Sequence, residues 1–324
     1  MNKLVFGVDG GQTSTKCVLA TTAGQVLARG EGSALIHLAS QGGRECFTRA
    51  LREAMTNAWT VAGLAPRAVE AIGLGLTAVE ADTIEATTVR ELLPTIVDAR
   101  AVQVQSDAVA ALEGAHLGKP GVIVIAGTGS IALGLDAHGK RTRAGGWGWL
   151  LGDEGSAMAI GRHGLAATLE AFDGAAPATR LEDSFARYFG ISNMSDLKRV
   201  VYAPDFGQRG FASLAPIVSQ AAAEGDVVAA RIIGEAGCAL AKIVAAVIRK
   251  LEFDAEVRVA PIGGAFEHVH GLRESFEAAL RPESIAAVIV PPALPPVLGA
   301  VILALKECGV DLEQTTPRLQ IATL

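Results

Sequence analysis

The chain has 324 residues, 50% hydrophobic and 5% aromatic, with a formal net charge of −6. That length accommodates two domains with full cores, the acidic balance offers no basic face to nucleic acid, and no apolar run reaches the roughly 18 residues needed to span a bilayer. Met1-Asn2-Lys3 runs directly into an apolar segment and is not read as a signal peptide. Cys17, Cys46, Cys238 and Cys308 are scattered without a Cys-x-x-Cys pair. They are expected to be reduced, mostly buried thiols of a cytoplasmic protein.

The first apolar run, Leu4 to Val8, ends in Asp9-Gly10-Gly11-Gln12-Thr13-Ser14-Thr15-Lys16. A second run, Cys17 to Ala20, a turn at Ala23-Gly24 and a third run, Val26 to Ala28, complete a three-stranded antiparallel meander. Its first turn has no bulky side chain before Lys16. The backbone amides of Gly10 and Gly11 can approach a polyphosphate, and Gln12, Thr13 and Ser14 add side-chain donors. Asp9, closing a strand, suits Mg²⁺ held through water. A helix is expected at about 44–62, strands at 71–76 and 101–105, and a helix at about 108–116.

The pattern then recurs. Val122 to Ala126 ends in Gly127-Thr128-Gly129-Ser130, followed by Ile131 to Leu135, a turn at His138-Gly139, and Ala144-Gly145. Gly24 precedes Gly30 by six residues, as Gly139 precedes Gly145. A duplicated hairpin unit explains both. A helical insertion over about 154–220 follows, then a helix at about 227–251, strands at 257–262 and 286–290, and a helix at about 294–306. Strands alternating with long helices imply parallel pairing, so each half is expected to be a mixed five-stranded sheet flanked by helices. The boundary is drawn in the Gly/Pro-containing stretch near 114–120.

Two other nucleotide-binding modes fail. Gly-x-x-x-x-Gly-Lys-Ser/Thr is absent, which removes the P-loop. Gly127-Thr128-Gly129-Ser130-Ile131-Ala132 matches Gly-x-Gly-x-x-Ala, but a hairpin follows it instead of a helix. No acid stands about 20 residues on to hold a ribose.

With both turns in view, Asp9 to Thr13, Gly127 to Ser130 and Gly263-Gly264-Ala265 resemble the two phosphate motifs and the adenosine motif of the sugar kinase, heat-shock ATPase and actin superfamily. Gly145-Gly146-Trp147-Gly148, Gly152 to Ala157 and Ser106-Asp107 resemble the N-acetylglucosamine kinase branch, the BadF/BadG/BcrA/BcrD ATPase family. That resemblance implies two duplicated ribonuclease H-like, actin-like ATPase domains around an interdomain cleft that closes over ligand. They would comprise residues 1–116, joined by a C-terminal helix at about 293–324, and residues 117–292. It also implies ATP and Mg²⁺ as cofactors and a small-molecule sugar as partner. Neither nucleic acid nor membrane is expected, and the oligomeric state stays open, a homodimer included.

The expected roles divide as follows. Asp107, at a strand-to-helix corner where an N-cap acid is common, is the candidate base toward a sugar hydroxyl. Asp153 matches the family's sugar-contacting acid. Asp153 and Glu154 also fit the first turn of a helix, where acids suit the dipole. Gly145, Gly146, Gly148 and Gly152 let backbone approach a small ligand, and Trp147 is a pocket wall or core, with Trp149 core or rim. Gly263 and Gly264 imply close backbone approach to adenine or ribose, or a helix-entry turn. Gly299 and Ala300 are expected where a Pro-initiated helix packs near the nucleotide. Glu267-His268-Val269-His270 reads as an exposed loop rather than a metal site. Residues 32–37 lack the asparagine that N-acetylglucosamine kinases usually offer the sugar, leaving Ser33, His37 or Gln41 as substitutes. The expected activity is transfer of the γ-phosphate of ATP to an amino-sugar hydroxyl, with the 6-hydroxyl favoured. The alternatives are an activator ATPase, whose class needs cysteines from two subunits around an iron–sulfur cluster, and a non-catalytic sensor.

Overall fold

The structure, a computed structural model, describes residues 3–253, 256–283 and 286–321. Met1, Asn2 and the last three residues of the expected C-terminal helix lie outside them. Two compact units result, Met1–Lys119 with Pro291–Leu324, and Pro120–Val290.

The first unit contains β1 (Leu4–Gly10), β2 (Thr15–Thr21), β3 (Val26–Gly32), α1 (Gly43–Ala62), β4 (Val69–Leu76), α2 (Ile84–Leu92), β5 (Ala99–Ser106) and α3 (Asp107–His116). The second contains β6 (Gly121–Ala126), β7 (Ser130–Leu135), β8 (Arg141–Gly145), then α4 (Ala157–Phe172), α5 (Leu181–Phe189), α6 (Leu197–Val201), α7 (Gly207–Ala212), α8 (Ala215–Ala223), α9 (Val227–Ile248), β9 (Val257–Ile262), α10 (Gly264–His268), α11 (Leu272–Glu283) and β10 (Ala287–Ile289). The chain returns to the first unit with α12 (Pro296–Glu307) and α13 (Leu312–Ile321).

Each unit holds one mixed five-stranded sheet, ordered β3-β2-β1-β4-β5 and β10-β9-β6-β7-β8. The meanders are antiparallel, and β1, β4 and β5 run parallel, as do β6, β9 and β10. The expected mixed sheets therefore form. Period-two alternation sorts the side chains of β1. Leu4, Phe6 and Val8 face Phe47, Leu51 and Met55 of α1, while Val5 joins Val18, Ala20 and Ala71 against Leu298, Val301 and Leu305 of α12. The C-terminal return thus covers one face of the first sheet. In the second unit Val122, Val124, Val257 and Val259 pack in one core with Leu240, Val244 and Val247 of α9.

α1 shows why these segments are helices. Cys46, Phe47, Ala50, Leu51, Ala54, Met55, Ala58 and Trp59 are buried at helical spacing. Gly63, at φ 65°, caps its end. α2, α10 and α11 are absent from the sequence expectation, and the single C-terminal helix expected at about 293–324 is instead two, α12 and α13. α2 buries only Ala86, Thr88 and Val89, α11 only Leu272, Phe276 and Leu280, and α13 carries Pro317, so none presents a long apolar stripe.

Candidate active site

Parallel strands deliver their C-terminal ends to one edge of a sheet, and loops there carry chemistry in open α/β folds. In the first unit Asp9 pairs with Gly75 of β4, and Leu76 pairs with Ser106 of β5. Asp9, Thr77 and Asp107 therefore lie at the same edge. Gly10 is packed so closely that a Cβ would meet Leu35 and Leu76 at 2.6 and 2.7 Å. Its carbonyl accepts from the Thr77 N–H at 3.0 Å. The turn between β1 and β2 is closed by Gly11 N–H to the Ser14 carbonyl at 3.1 Å, with Gln12 and Thr13 exposed. Asp9 stands across from Lys16 in the antiparallel pair, whose side chain is exposed. Burial, and secondarily the Asp107 charge, push the Asp9 carboxyl up to about 6 against the opposing pull of Lys16.

Asp107 is the first residue of α3, and the cap position belongs to Ser106, whose side chain makes no cap bond. The N-cap alternative for Asp107 is corrected accordingly. Its Oδ1 accepts from the Ala108 N–H at 2.8 Å, and the carboxylate also accepts from the Thr77 side chain. Burial raises its pKa, and these hydrogen bonds oppose that shift. Thr77 was missed in the sequence. Its signal was positional: like Asp9 and Asp107, it is a polar residue at the end of an apolar parallel strand. Ser33 is partly buried, its N–H donating to Glu53 and its carbonyl accepting from the Thr15 hydroxyl at 2.8 Å. His37 and Gln41 are exposed, and His37 Nδ1 accepts from the Ala39 N–H.

In the second unit the ends of β6 and β9 meet. Gly263, at φ 109°, passes so close to β6 that a Cβ would collide with the Ala126 carbonyl. That approach is to protein backbone, and the turn opens the five-residue α10, which fits a helix entry. Gly264 is exposed, whereas the Ala265 side chain is buried. Gly127 N–H donates to the Gly129 carbonyl at 2.9 Å, leaving Thr128 exposed at the tip. The Ser130 hydroxyl donates to the Glu154 carbonyl, and the Gly127 carbonyl accepts from the Ala157 N–H. The second phosphate turn is therefore stitched to the segment before α4.

Asp153 belongs to that stitching. It adopts φ 62°, rare for a residue with a Cβ. Its carboxylate lies so near Gly129 that a Cβ there would sit 2.7 Å from Oδ2. It accepts from the backbones of Ser130 and Gly148 while burial raises its pKa. The first-turn reading of Asp153 and Glu154 is corrected: α4 starts at Ala157, capped by Ser156, whose hydroxyl accepts from the Ala159 N–H. Glu154 instead pairs with Arg162 and faces His163. Trp147 is 66% exposed with Arg143 over its ring at 4.7 Å, so the core alternative is excluded. The Gly146 N–H donates to the Ser130 carbonyl. Trp149 is half-buried against Phe211. Gly299 packs against Ala110 of α3, a contact within the first unit that explains its small size, and the Ala300 backbone lies against Gly73 of β4. Glu267 and His268 end α10 instead of lying in a loop; with His270 they are exposed, whereas Val269 is buried, and no cluster of three potential metal-ligating side chains occurs among the described residues.

A family model for the BadF/BadG/BcrA/BcrD ATPases matches residues 6–304. The chain belongs to this family. Membership makes it an ATP-using protein. An N-acetylmuramic acid/N-acetylglucosamine kinase of Clostridium acetobutylicum is 30% identical, covering 94% of this chain and 99% of its own. An N-acetyl-D-glucosamine kinase of Dictyostelium discoideum is 31% identical with the same coverage. Among solved structures, a Chromobacterium violaceum protein provisionally named an N-acetylglucosamine kinase superposes with a TM-score of 0.75 at 30% identity, covering 94% of this chain and 99% of that one. Among the described residues of this family member, no helix is long and apolar enough to cross a membrane.

Proposed function

We propose that this chain is an ATP-dependent kinase of an amino sugar of the N-acetylglucosamine or glucosamine class, phosphorylating a hydroxyl, the 6-hydroxyl being expected. Kinships at 30% and 31% identity over 94% of the chain, with relatives named for such sugars, support the substrate class. The observation that carries the chemistry is Asp107, a carboxylate beside Asp9 at the edge where β1, β4 and β5 end. As the sugar oxygen attacks the γ-phosphorus, a new O–P bond forms, the bond to the β-phosphate oxygen breaks, and Asp107 takes the hydroxyl proton while ADP departs.

In this reading Gly10, Gly11, Gln12, Thr13 and Lys16 form one phosphate-holding turn, and Gly127, Thr128, Gly129 and Ser130 a second. Gly263, Gly264 and Ala265 border the adenosine. Ser33, Gly146, Trp147 and Asp153 join Asp107 in holding the sugar, with Trp147 offering an exposed ring face. Asp9 fits a divalent cation: its half-buried carboxylate is opposed by Asp107, so added positive charge relieves a repulsion already present. Bound Mg²⁺ would supply charge neutralisation across the phosphates.

An ADP-release assay with N-acetylglucosamine, glucosamine, glucose and N-acetylmannosamine tests the class. Sugar-dependent ADP release with an amino sugar, abolished by excess EDTA, is expected. Asp107→Asn keeps the size and one acceptor of the side chain but removes the base, so kcat is expected to fall by about 10²–10⁴. ADP release independent of every sugar would reject the kinase.

A further inference from the structure

We infer that Thr77 is a positioning residue for the phosphoryl transfer, its hydroxyl orienting the Asp107 carboxylate while its backbone joins the same support to the first phosphate turn. The inference rests on the reading of Asp107 as the base. β4 lies between β1 and β5, so the residue following Leu76 is bracketed by the turn after Asp9 and by the start of α3. Thr77 uses both neighbours. Its N–H donates to the Gly10 carbonyl at 3.0 Å, and one position beyond the Leu76–Ser106 pair its side chain faces the Asp107 carboxylate.

The chain then reverses sharply. Ala78 takes φ 58°, a left-handed conformation uncommon for a side-chain-bearing residue, and the Val79 N–H returns to the Leu76 carbonyl. Val79 is buried at 4% exposure, which anchors the far side of the turn. Non-glycine residues hold such conformations where surrounding structure over-determines them. Here the buried Val79 and the Gly10 tie hold Thr77 against α3.

A carboxylate bonded only at Oδ1 to the Ala108 N–H can still swing about its last torsion, which is broad. A second donor from a different element removes that freedom. Catalytic groups need their supporting hydrogen bonds to stay within productive geometry. The hydroxyl is separable from the backbone tie, because Thr77→Val deletes the first and retains the second.

The experiment is steady-state kinetics of the full chain for Thr77→Val, Thr77→Ala, Thr77→Ser, Asp107→Asn and Thr77→Val/Asp107→Asn, with thermal melts of each. Loss of orientation typically costs about 10–100-fold in rate. A fall of that order in kcat is expected for Thr77→Val and Thr77→Ala, with KM for ATP near wild type. Thr77→Ser is expected to recover most of the rate. Added to Asp107→Asn, Thr77→Val is expected to do little more, as groups acting as one unit are non-additive. If one variant fails to fold, the other two decide. Wild-type turnover in the hydroxyl-free variants, with Asp107→Asn inactive, overturns this inference and leaves the base. Equal loss in Thr77→Ser and Thr77→Val overturns it in favour of packing. Full turnover in Asp107→Asn removes the base and this inference with it.

Discussion

Asp9 is held protonatable near pH 6 by burial first and Asp107 second, well above the 3.8 of a free aspartate. The folded state therefore binds more protons than the unfolded state between those values, and stability falls as pH rises through that window. At about 1.4 kcal/mol per pH unit this amounts to at most about 3 kcal/mol. Asp9→Asn is expected to shrink the pH-dependent difference by the Asp9 share and to unfold at higher denaturant than wild type at pH 7, while losing kinase activity. Urea titrations of both proteins at pH 4.5 and 7 check it; parallel pH trends would contradict the burial argument. Elsewhere in the first unit, Glu113 is fully buried and accepts from Lys306 at 2.6 Å, joining α3 to α12. Lys306→Met removes one charged partner of that carboxylate, and breaking a buried pair costs about 3–5 kcal/mol. The low end is expected because the lysine is 32% exposed. Its melting temperature is the measurement, and an unchanged value would mean that Glu113 does not depend on the pair.

At the scale of elements, small residues fix how closely helices approach. A Cβ on Gly299 would collide with the Ala110 carbonyl and stand 2.6 Å from the Gly114 nitrogen. The obstacles are backbone, which cannot rotate away. Gly299→Ala is therefore expected to cost at least the 1–3 kcal/mol typical of overpacking, read as a lower denaturation midpoint. Gly129 faces a different obstacle, the Asp153 carboxylate. Gly129→Ala is expected to displace that acid and cut activity while the fold persists. A kinetic profile matching wild type with intact folding would show that the contact between turn and acid is dispensable. Elements were also unequal in legibility. The meanders and α1 stood out because alternation and helical spacing mark one-sided burial. α4 begins at Ala157, beyond the acids expected in its first turn, since Ser156 caps it and Asp153 turns back to Gly129.

For the whole molecule, the two units differ in how the chain completes them. The second is continuous and its core is built from residues within 122–280. A fragment of residues 120–290 is expected to fold cooperatively by itself. The first needs its return segment, because Val5, Val18, Ala20 and Ala71 are covered by α12 and Leu319. Residues 1–119 without that segment would expose an apolar sheet face, a liability for association. Circular dichroism and size-exclusion of the two fragments test this. A monomeric, cooperatively melting 1–119 fragment would contradict the covering role.

Local chemistry was enough to reveal the duplicated meanders, their glycine turns and the mixed sheets, because hydrophobic period and turn residues act over a few positions. The same near-neighbour signals placed Asp9 and Asp107 at strand ends. Tertiary structure alone decided what those ends touch. Only parallel pairing of β1, β4 and β5 sets Thr77 between Gly10 and Asp107, three segments distant in sequence. Likewise, only the pairing of β6 with β9 explains Gly263 by the Ala126 carbonyl, and only the return of α12 explains Gly299 by Ala110. Contacts between distant segments depend on register and packing direction, which no local pattern encodes.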